Sequence, residues 1–264
     1  MGARWRRLLG GGPRTSGFPP SANGASSFHL RWDLPDLLAP DRPPAVGVEV
    51  VLEVVTAPVV EQLYFWALQV DVAGVGGRRA GGAHLGLQWH PAHPGATAVN
   101  WGGYGPDGRE LDGSTSALPS ATGNPHTRDL SWRPGVPYVL RVDRHPAAPA
   151  PPGCTAWRGT VTGPDGEVVV RDLYPPGDRL AGVVMWSEVF ARCDDPSVQV
   201  RWSRPAVLLP DGASLRPVAC TTSYQSHPDG GCANTDQFPD PTGLVQVTNR
   251  PRTTPPGTVV PVPS

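Results

Sequence analysis

Apolar and polar residues alternate along the middle of the chain with a period of two, which is typical of β-strands. Three such segments follow one another closely, at residues 63–72, 83–90 and 98–104. Each places an apolar row on one side and a row of Gln, His, Asn and Asp on the other. No segment has the 3.6-residue apolar stripe and the caps of a helix. The pattern predicts a sheet with one core face and one polar face.

Segments with similar periodicity occur on both sides of these three and bring the predicted total to about ten strands. They cover residues 28–33, 46–55, 138–143, 157–162, 167–171, 180–190 and 197–202. The tripeptide Pro-Asp-Gly occurs four times and suits a turn, because proline presets φ and glycine accepts the left-handed closing position. Many short strands joined by turns predict an all-β sandwich of two antiparallel sheets.

Proline and glycine divide the chain into three parts. The chain of 264 residues contains 34 prolines and 32 glycines, and much of the proline lies near the two ends and at residues 146–152. We predict a disordered lead at 1–27, a sandwich at 28–210, and an irregular Pro/Thr-rich tail at 211–264 that a disulfide pins to the surface.

Charge and hydropathy narrow the possible partners. All 22 basic residues are arginine, and lysine and isoleucine are absent, as a bacterial genome of high GC content would produce. The net charge is −1 and no core segment forms a basic stripe, which argues against nucleic acid. No apolar run reaches the length of a membrane span. The first residues have the charged start of a signal peptide without its apolar middle.

Four cysteines occur, at Cys154, Cys193, Cys220 and Cys232. An even number in a loop-rich protein predicts two disulfides, and Cys154–Cys193 with Cys220–Cys232 is one of three possible pairings. The C-x-x-C spacing of a metal site is absent, and so are a P-loop and a dinucleotide-binding fingerprint, so no metal and no cofactor is predicted. Disulfides would place the protein in an oxidising compartment, outside the cell or at its surface.

Several short motifs together resemble an uncharacterised bacterial family of unknown function. They are Tyr64-Phe-Trp66, Gly86-Leu-Gln88, Asn100-Trp101, Trp186-Ser-Glu-Val-Phe190 and Val198-Gln-Val-Arg-Trp202. That family looks like a concanavalin A-like jelly roll. The resemblance implies this fold for roughly residues 28–210 and, by association, contact with extracellular polysaccharide. It implies no established reaction.

The polar row of the three central strands provides the candidate site. Planar amides and carboxylates bind sugar hydroxyls, and aromatic rings lie against the C–H face of a sugar. The alternative is that the tryptophans fill the core and the amides only satisfy sheet edges. We therefore predict a non-catalytic carbohydrate-binding or surface-recognition module. Its candidate ligand-binding residues are Gln69, Asp71, His84, Gln88, His90, Asn100, Trp101, Tyr104 and Arg141.

Catalysis on the same fold is the first alternative. A glycoside hydrolase needs two carboxylates beside the scissile bond, and the acids near strands are Glu61, Asp71, Glu110 and Glu188. The compact E-x-D-x-x-E strand of such hydrolases is absent. Glu188 is expected to pair with an arginine such as Arg201, so we assign no catalytic residue.

A polysaccharide lyase would need a Tyr or His base near an arginine such as Arg141 or Arg158. Leu87-Gln-Trp-His90 matches the Q-[IV]-H strand of such lyases only in part, and their late lysine motif cannot exist here. A purely structural extracellular domain is the second alternative. The sequence does not indicate an oligomeric state.

Overall fold

The computed structural model describes residues 13–263, which form two antiparallel β-sheets packed face to face. Sheet A has the strand order β16-β13-β1-β10-β3-β4-β5-β6. Its strands are Ser26–Trp32 (β1), Tyr64–Ala73 (β3), Arg79–Trp89 (β4), Thr97–Tyr104 (β5), Thr127–Asp129 (β6), Arg179–Val189 (β10), Ala219–Tyr224 (β13) and Val259–Pro261 (β16).

Sheet B has the order β14-β15-β11-β2-β7-β8-β9, and β12 pairs with β11 beside this path. Its strands are Gly47–Thr56 (β2), Pro137–Arg144 (β7), Trp157–Gly163 (β8), Gly166–Leu173 (β9), Gln199–Leu208 (β11), Ser214–Leu215 (β12), Thr235–Asp240 (β14) and Gly243–Thr248 (β15). Within residues 13–263 the helical content is two short 3₁₀ turns, at Val75–Gly77 and Pro94–Ala96. The predicted all-β sandwich is confirmed. The resemblance to the concanavalin A-like family stays a prediction.

The inner faces of the two sheets enclose one large apolar core. Trp66, Trp101, Trp157 and Trp202 are its largest fully buried side chains. They come from strands of both sheets, because every second residue of a strand points to the same side. These tryptophans fill the core, as the alternative interpretation of the sequence held.

The Pro-Asp-Gly tripeptides have the glycine conformation that the sequence predicts for turns. Gly166 closes the Pro-Asp-Gly turn between β8 and β9 with a φ of +108°. Only glycine adopts this region without strain. The glycines of the other three Pro-Asp-Gly tripeptides also have positive φ.

The C-terminal segment differs from its prediction. Residues 211–264 were expected to be irregular, but β12–β16 lie in them and join both sheets. The alternation of apolar and polar residues is not visible in this segment, because Asp236, Gln237 and Gln246 are polar but fully buried. The division into three domains stays a prediction, and residues 1–12 of the predicted disordered lead lie outside the described residues.

One disulfide is present, between Cys193 and Cys232, with Cα atoms 5.6 Å apart. Cys154 and Cys220 are free thiols in the structure. The pairing named from the sequence is therefore wrong, because the fold places Cys193 beside the β13–β14 connection. Burial and the nearby Asp33 raise the pKa of Cys220 to about 12. No helix in the described part of the chain has the length and hydropathy of a membrane span.

Candidate functional site in a groove of sheet A

An open groove of about 470 Å³ crosses the outer face of sheet A. Its floor is aromatic: the ring of Trp186 lies 4.9 Å from that of Phe65 and 5.7 Å from that of His84. Phe65 and Trp186 belong to a small buried apolar cluster that is separate from the main core. The other lining residues are Asn23, Ser27, His29, Gln69, Tyr104, Glu188 and Phe190.

The carboxyl of Glu188 is the acidic group of this groove. β10 places Glu188 opposite Ser27 on one neighbouring strand and opposite Phe65 on the other. Burial raises the pKa of Glu188, and a hydrogen bond from Asn23 partly opposes this rise. Desolvation has this effect because it disfavours the charged carboxylate.

Asn23 is itself held in place. Its Nδ2 donates to Oε1 of Glu188 at 2.8 Å. Its Oδ1 accepts from the backbone N–H of Ala25 at 3.2 Å and from the hydroxyl of Ser21 at 3.0 Å. The amide oxygen of Asn23 therefore accepts two hydrogen bonds, and its amide nitrogen donates to the carboxyl of Glu188.

Two imidazoles in the groove are neutral over most of the pH range. Burial lowers the pKa of His29 to about 4, and the charge of Arg31 adds to this effect. Burial also lowers the pKa of His84 to about 4, with a contribution from His126. The groove thus combines a carboxyl of raised pKa with uncharged histidines, and such perturbed groups cluster at functional sites.

The polar groups of the groove are spread along its length. Gln69 pairs with Val184 on β10, four residues before Glu188, which corresponds to a separation of about 13 Å along the strands. Asp71 pairs with Gly182, six residues before Glu188, so these two acidic residues are about 20 Å apart along the strands. The two acids of a glycoside hydrolase lie about 5–10 Å apart, and this pair does not meet that requirement.

The structure brings four of the predicted ligand residues to this face. Gln69, His84 and Tyr104 line the groove, and they also line an adjoining cavity of about 510 Å³. Asp71 accepts a hydrogen bond from Gln69 at 3.4 Å and lies within 3.9 Å of two arginines. Their role as ligand-binding residues stays a prediction.

Two other predicted residues share the face but are buried. Gln88 is 5% exposed and Asn100 is 8% exposed. Phe65 lies directly beside Gln88 in the register of β3 and β4. Asn100 lies opposite Thr127 in the register of β5 and β6, and its Nδ2 donates to the hydroxyl of Thr127 at 2.9 Å. Neither amide lines the groove.

The remaining three predicted residues lie elsewhere. Trp101 points into the core, where its Nε1 donates to the carbonyl of Trp157 at 3.3 Å. His90 follows the end of β4, and its ring lies 4.6 Å from that of His93. Arg141 is on β7 of sheet B, 3.4 Å from Asp143. A lyase constellation of a groove base with Arg141 is therefore not assembled.

Glu188 does not pair with Arg201, as the sequence analysis had expected. Arg201, its expected partner, is on sheet B and pairs instead with Glu53 at 2.8 Å and Asp240 at 3.0 Å. Arg201 and Glu53 line a larger cavity of about 820 Å³ on the outer face of sheet B. Its lining carboxylate, Glu53, is paired with Arg201, so we place the candidate site on sheet A.

Metal ligation has no support among residues 13–263, where no group of three His, Cys, Asp or Glu side chains has a suitable geometry.

Comparison with known proteins identifies no family. No family model matches the chain, and no curated protein matches it. Two similar solved structures are a scytalido-glutamic peptidase with a peptide-based transition state analogue and SCP-B, a member of the eqolisin peptidases, with the tripeptide Ala-Ile-His. Their TM-scores are 0.42 and 0.40 at 10% and 9% identity, over 88% of this chain and 99% of each of theirs.

The prediction of a non-catalytic carbohydrate-binding module is wrong. Two amides that were expected to contact sugar, Gln88 and Asn100, are buried and do not line the groove. Glu188 was missed because its neighbours come from distant parts of the chain. The alternation of residues 180–190 places Glu188 and Trp186 on one face of a strand. It does not show that this strand lies beside β3.

Proposed function

We propose that the groove of sheet A binds an extended polypeptide and that Glu188 hydrolyses one of its peptide bonds as a general acid–base group. The observation that carries this proposal is a carboxyl of raised pKa, fixed by Asn23, in an aromatic groove. A general acid near neutral pH needs such a shift, because an ordinary glutamic acid is already ionised.

The shape and chemistry of the groove favour a polypeptide. The distance of about 13 Å between Gln69 and Glu188 equals about four residues of an extended chain. Phe65, which lies opposite Glu188, and Trp186, two residues before it, offer apolar contacts to alternate side chains of such a chain. Gln69 is then available to the substrate backbone at a position removed from the scissile bond.

The proposed step balances without a metal or cofactor. A water molecule attacks the carbonyl carbon, so that a C–O bond forms while the C–N bond breaks. Glu188 is protonated at the start of the reaction and donates its proton to the leaving nitrogen. The attacking water returns a proton to Glu188, which restores the starting state. Activity therefore falls as the pH rises through the raised pKa of Glu188.

The test is hydrolysis of a mixture of unstructured synthetic peptides, followed by mass spectrometry over a range of pH. We expect cleavage by the wild-type chain and a loss of at least about 100-fold in Glu188→Gln, the contribution of a general acid–base group. Glu167→Gln is the matched control, because Glu167 is exposed on β9 of sheet B. Absence of cleavage by the wild-type chain, or equal cleavage by both variants, would refute the proposal.

We also propose that the protein acts outside the cell. The disulfide between Cys193 and Cys232 supports this location, because disulfides persist in oxidising compartments.

A further inference from the structure

The cavity of about 820 Å³ on the outer face of sheet B shares no lining residue with the groove of sheet A. Its floor comes from three neighbouring strands. Val51 of β2 pairs with Ser203 of β11, and Glu53 of β2 pairs with Pro137 of β7. Sites for small molecules have volumes of about 300–1,000 Å³, so the cavity has the size of a separate ligand site.

Much of the cavity wall is apolar. Val51 lies in the outward row of β2 between Glu49 and Glu53, yet it is only 7% exposed. Five prolines from five parts of the fold also line the cavity: Pro137, Pro205, Pro217, Pro241 and Pro263. A proline ring is apolar and rigid, and proline has no backbone N–H to donate. These walls therefore favour the apolar part of a ligand.

The connections that form the walls are fixed by hydrogen bonds. The backbone N–H of Val262 donates to the carbonyl of Val218 at 3.0 Å, which joins two lining segments. The backbone N–H of Thr242 donates to Oδ1 of Asp240 at 2.8 Å, and Oδ2 of Asp240 accepts from Arg201 at 3.0 Å. The cavity is thus formed before any ligand binds.

Three arginines line the cavity and give it a positive charge. Arg201 pairs with Glu53 at 2.8 Å and with Asp240 at 3.0 Å. Among residues 13–263, neither Arg204 nor Arg216 has an acidic side chain within 4.0 Å. Three arginines therefore face two carboxylates, which leaves a surplus of one positive charge.

Arg204 has an unusual backbone conformation. It lies in a bulge of β11, where the pairing with β2 shifts between Ser203 and Ala206. Its φ is +50°, in the left-handed region that residues other than glycine adopt rarely and at an energetic cost. A bulge redirects a side chain out of the regular alternation of a strand, and strained residues concentrate at functional sites.

We propose that this cavity binds a small molecule that has an apolar body and one carboxylate. The prolines and Val51 contact the body, and the guanidinium groups of Arg204 and Arg216 bind the carboxylate. A guanidinium can donate two parallel hydrogen bonds to a carboxylate, whose single charge matches the surplus. A phosphate monoester carries about 1.5 to 2 negative charges at neutral pH and matches less well. The proposal does not depend on hydrolysis in the groove.

Binding of octanoate tests the site directly, and octanamide is an uncharged control of nearly the same shape. Each compound is titrated into the full chain at neutral pH while the backbone amides of Val51 and Ser203 are followed by ¹⁵N NMR. We expect saturable shifts of both amides with octanoate and weaker binding of octanamide.

Variants test the contributions of the walls. Arg204→Gln and Arg216→Gln should each weaken octanoate binding by about two- to fivefold, since both arginines are exposed and solvent screens their charges. Ser203→Phe should abolish binding of both compounds, because the added ring would occupy the floor of the cavity. Arg109→Gln is the matched control, because Arg109 is exposed in the connection after β5, and it should bind as the wild type does. The amide spectrum of each variant reports whether it is folded.

Three results would overturn the site: no saturable shift at Val51 and Ser203, equal affinity for octanamide, or unchanged affinity in a folded double variant of Arg204→Gln and Arg216→Gln. Shifts that follow the protein concentration instead of octanoate would also overturn it, because a second copy of the chain would then cover the cavity. Glu188→Gln should bind octanoate as the wild type does, whatever its effect on hydrolysis.

Discussion

Gln246 connects the two sheets through hydrogen bonds inside the core. It is 1% exposed on β15, and its Oε1 accepts from the hydroxyl of Ser187 at 2.8 Å and from Nε1 of Trp202 at 2.9 Å. Its Nε2 donates to the carbonyl of Phe28 at 3.0 Å and to Oε1 of Gln237 at 2.9 Å. The side chain of Gln246 thus makes hydrogen bonds to four groups and connects β15 to β1 and β10.

We expect Gln246→Leu to lower the free energy of unfolding by about 1–10 kcal/mol. The change keeps the volume roughly constant but leaves four buried groups without this partner, each costing about 1–3 kcal/mol. The apolar gain of leucine, about 1.5–3 kcal/mol, offsets part of that sum. The remaining loss is a large share of a typical stability of about 5–15 kcal/mol.

Equilibrium urea denaturation with the disulfide intact measures this loss. Gln199→Leu on β11 is the matched control, because Gln199 is only half-buried, and we expect a change of less than about 1 kcal/mol. A loss below about 1 kcal/mol in Gln246→Leu would refute the reasoning, because it would mean that the four groups find other partners at little cost.

Three further predictions concern the groove and the β-sandwich that supports it. Asn23→Ala removes the hydrogen bond that lowers the pKa of Glu188. The decline of hydrolysis at high pH should therefore move to higher pH, and an unchanged pH profile would contradict this. Replacing both Cys193 and Cys232 by serine opens a loop of 39 residues and should cost about 2–4 kcal/mol in urea denaturation; a change near zero would argue against the bond. Gly86→Ala should give no soluble folded protein, since a Cβ there would overlap the backbone of β3, and a native circular dichroism spectrum would disprove the overlap.

The period of two in the sequence predicted much of sheet A. It placed Gln69, His84 and Asn100 on one face of three neighbouring strands, as the register of β3, β4 and β5 shows. It did not predict that Asn100 is buried beside Thr127 of β6, because the pairing of β6 with β5 leaves no mark in the sequence of β5 itself. It also missed the strands after residue 210.

The position of Glu188 beside Phe65 and Ser27 could not be read from the chain. These residues are far apart in sequence, and the sheet order that joins β1, β10 and β3 is set by the packing of the whole sandwich. The buried amide of Gln246 shows the same limit. A polar residue in the core is stabilised by partners that the local pattern does not reveal.

The pKa of the Glu188 side chain is the most direct test of the proposed acid–base group. Carboxyl ¹³C NMR of the wild-type chain, titrated with pH and assigned through Glu188→Gln, measures it in the folded protein. We expect a value above the ordinary 4.5, and a further rise in Asn23→Ala. A carboxyl that titrates at or below the ordinary value would contradict the account, because Glu188 would then be ionised where it is required to donate a proton.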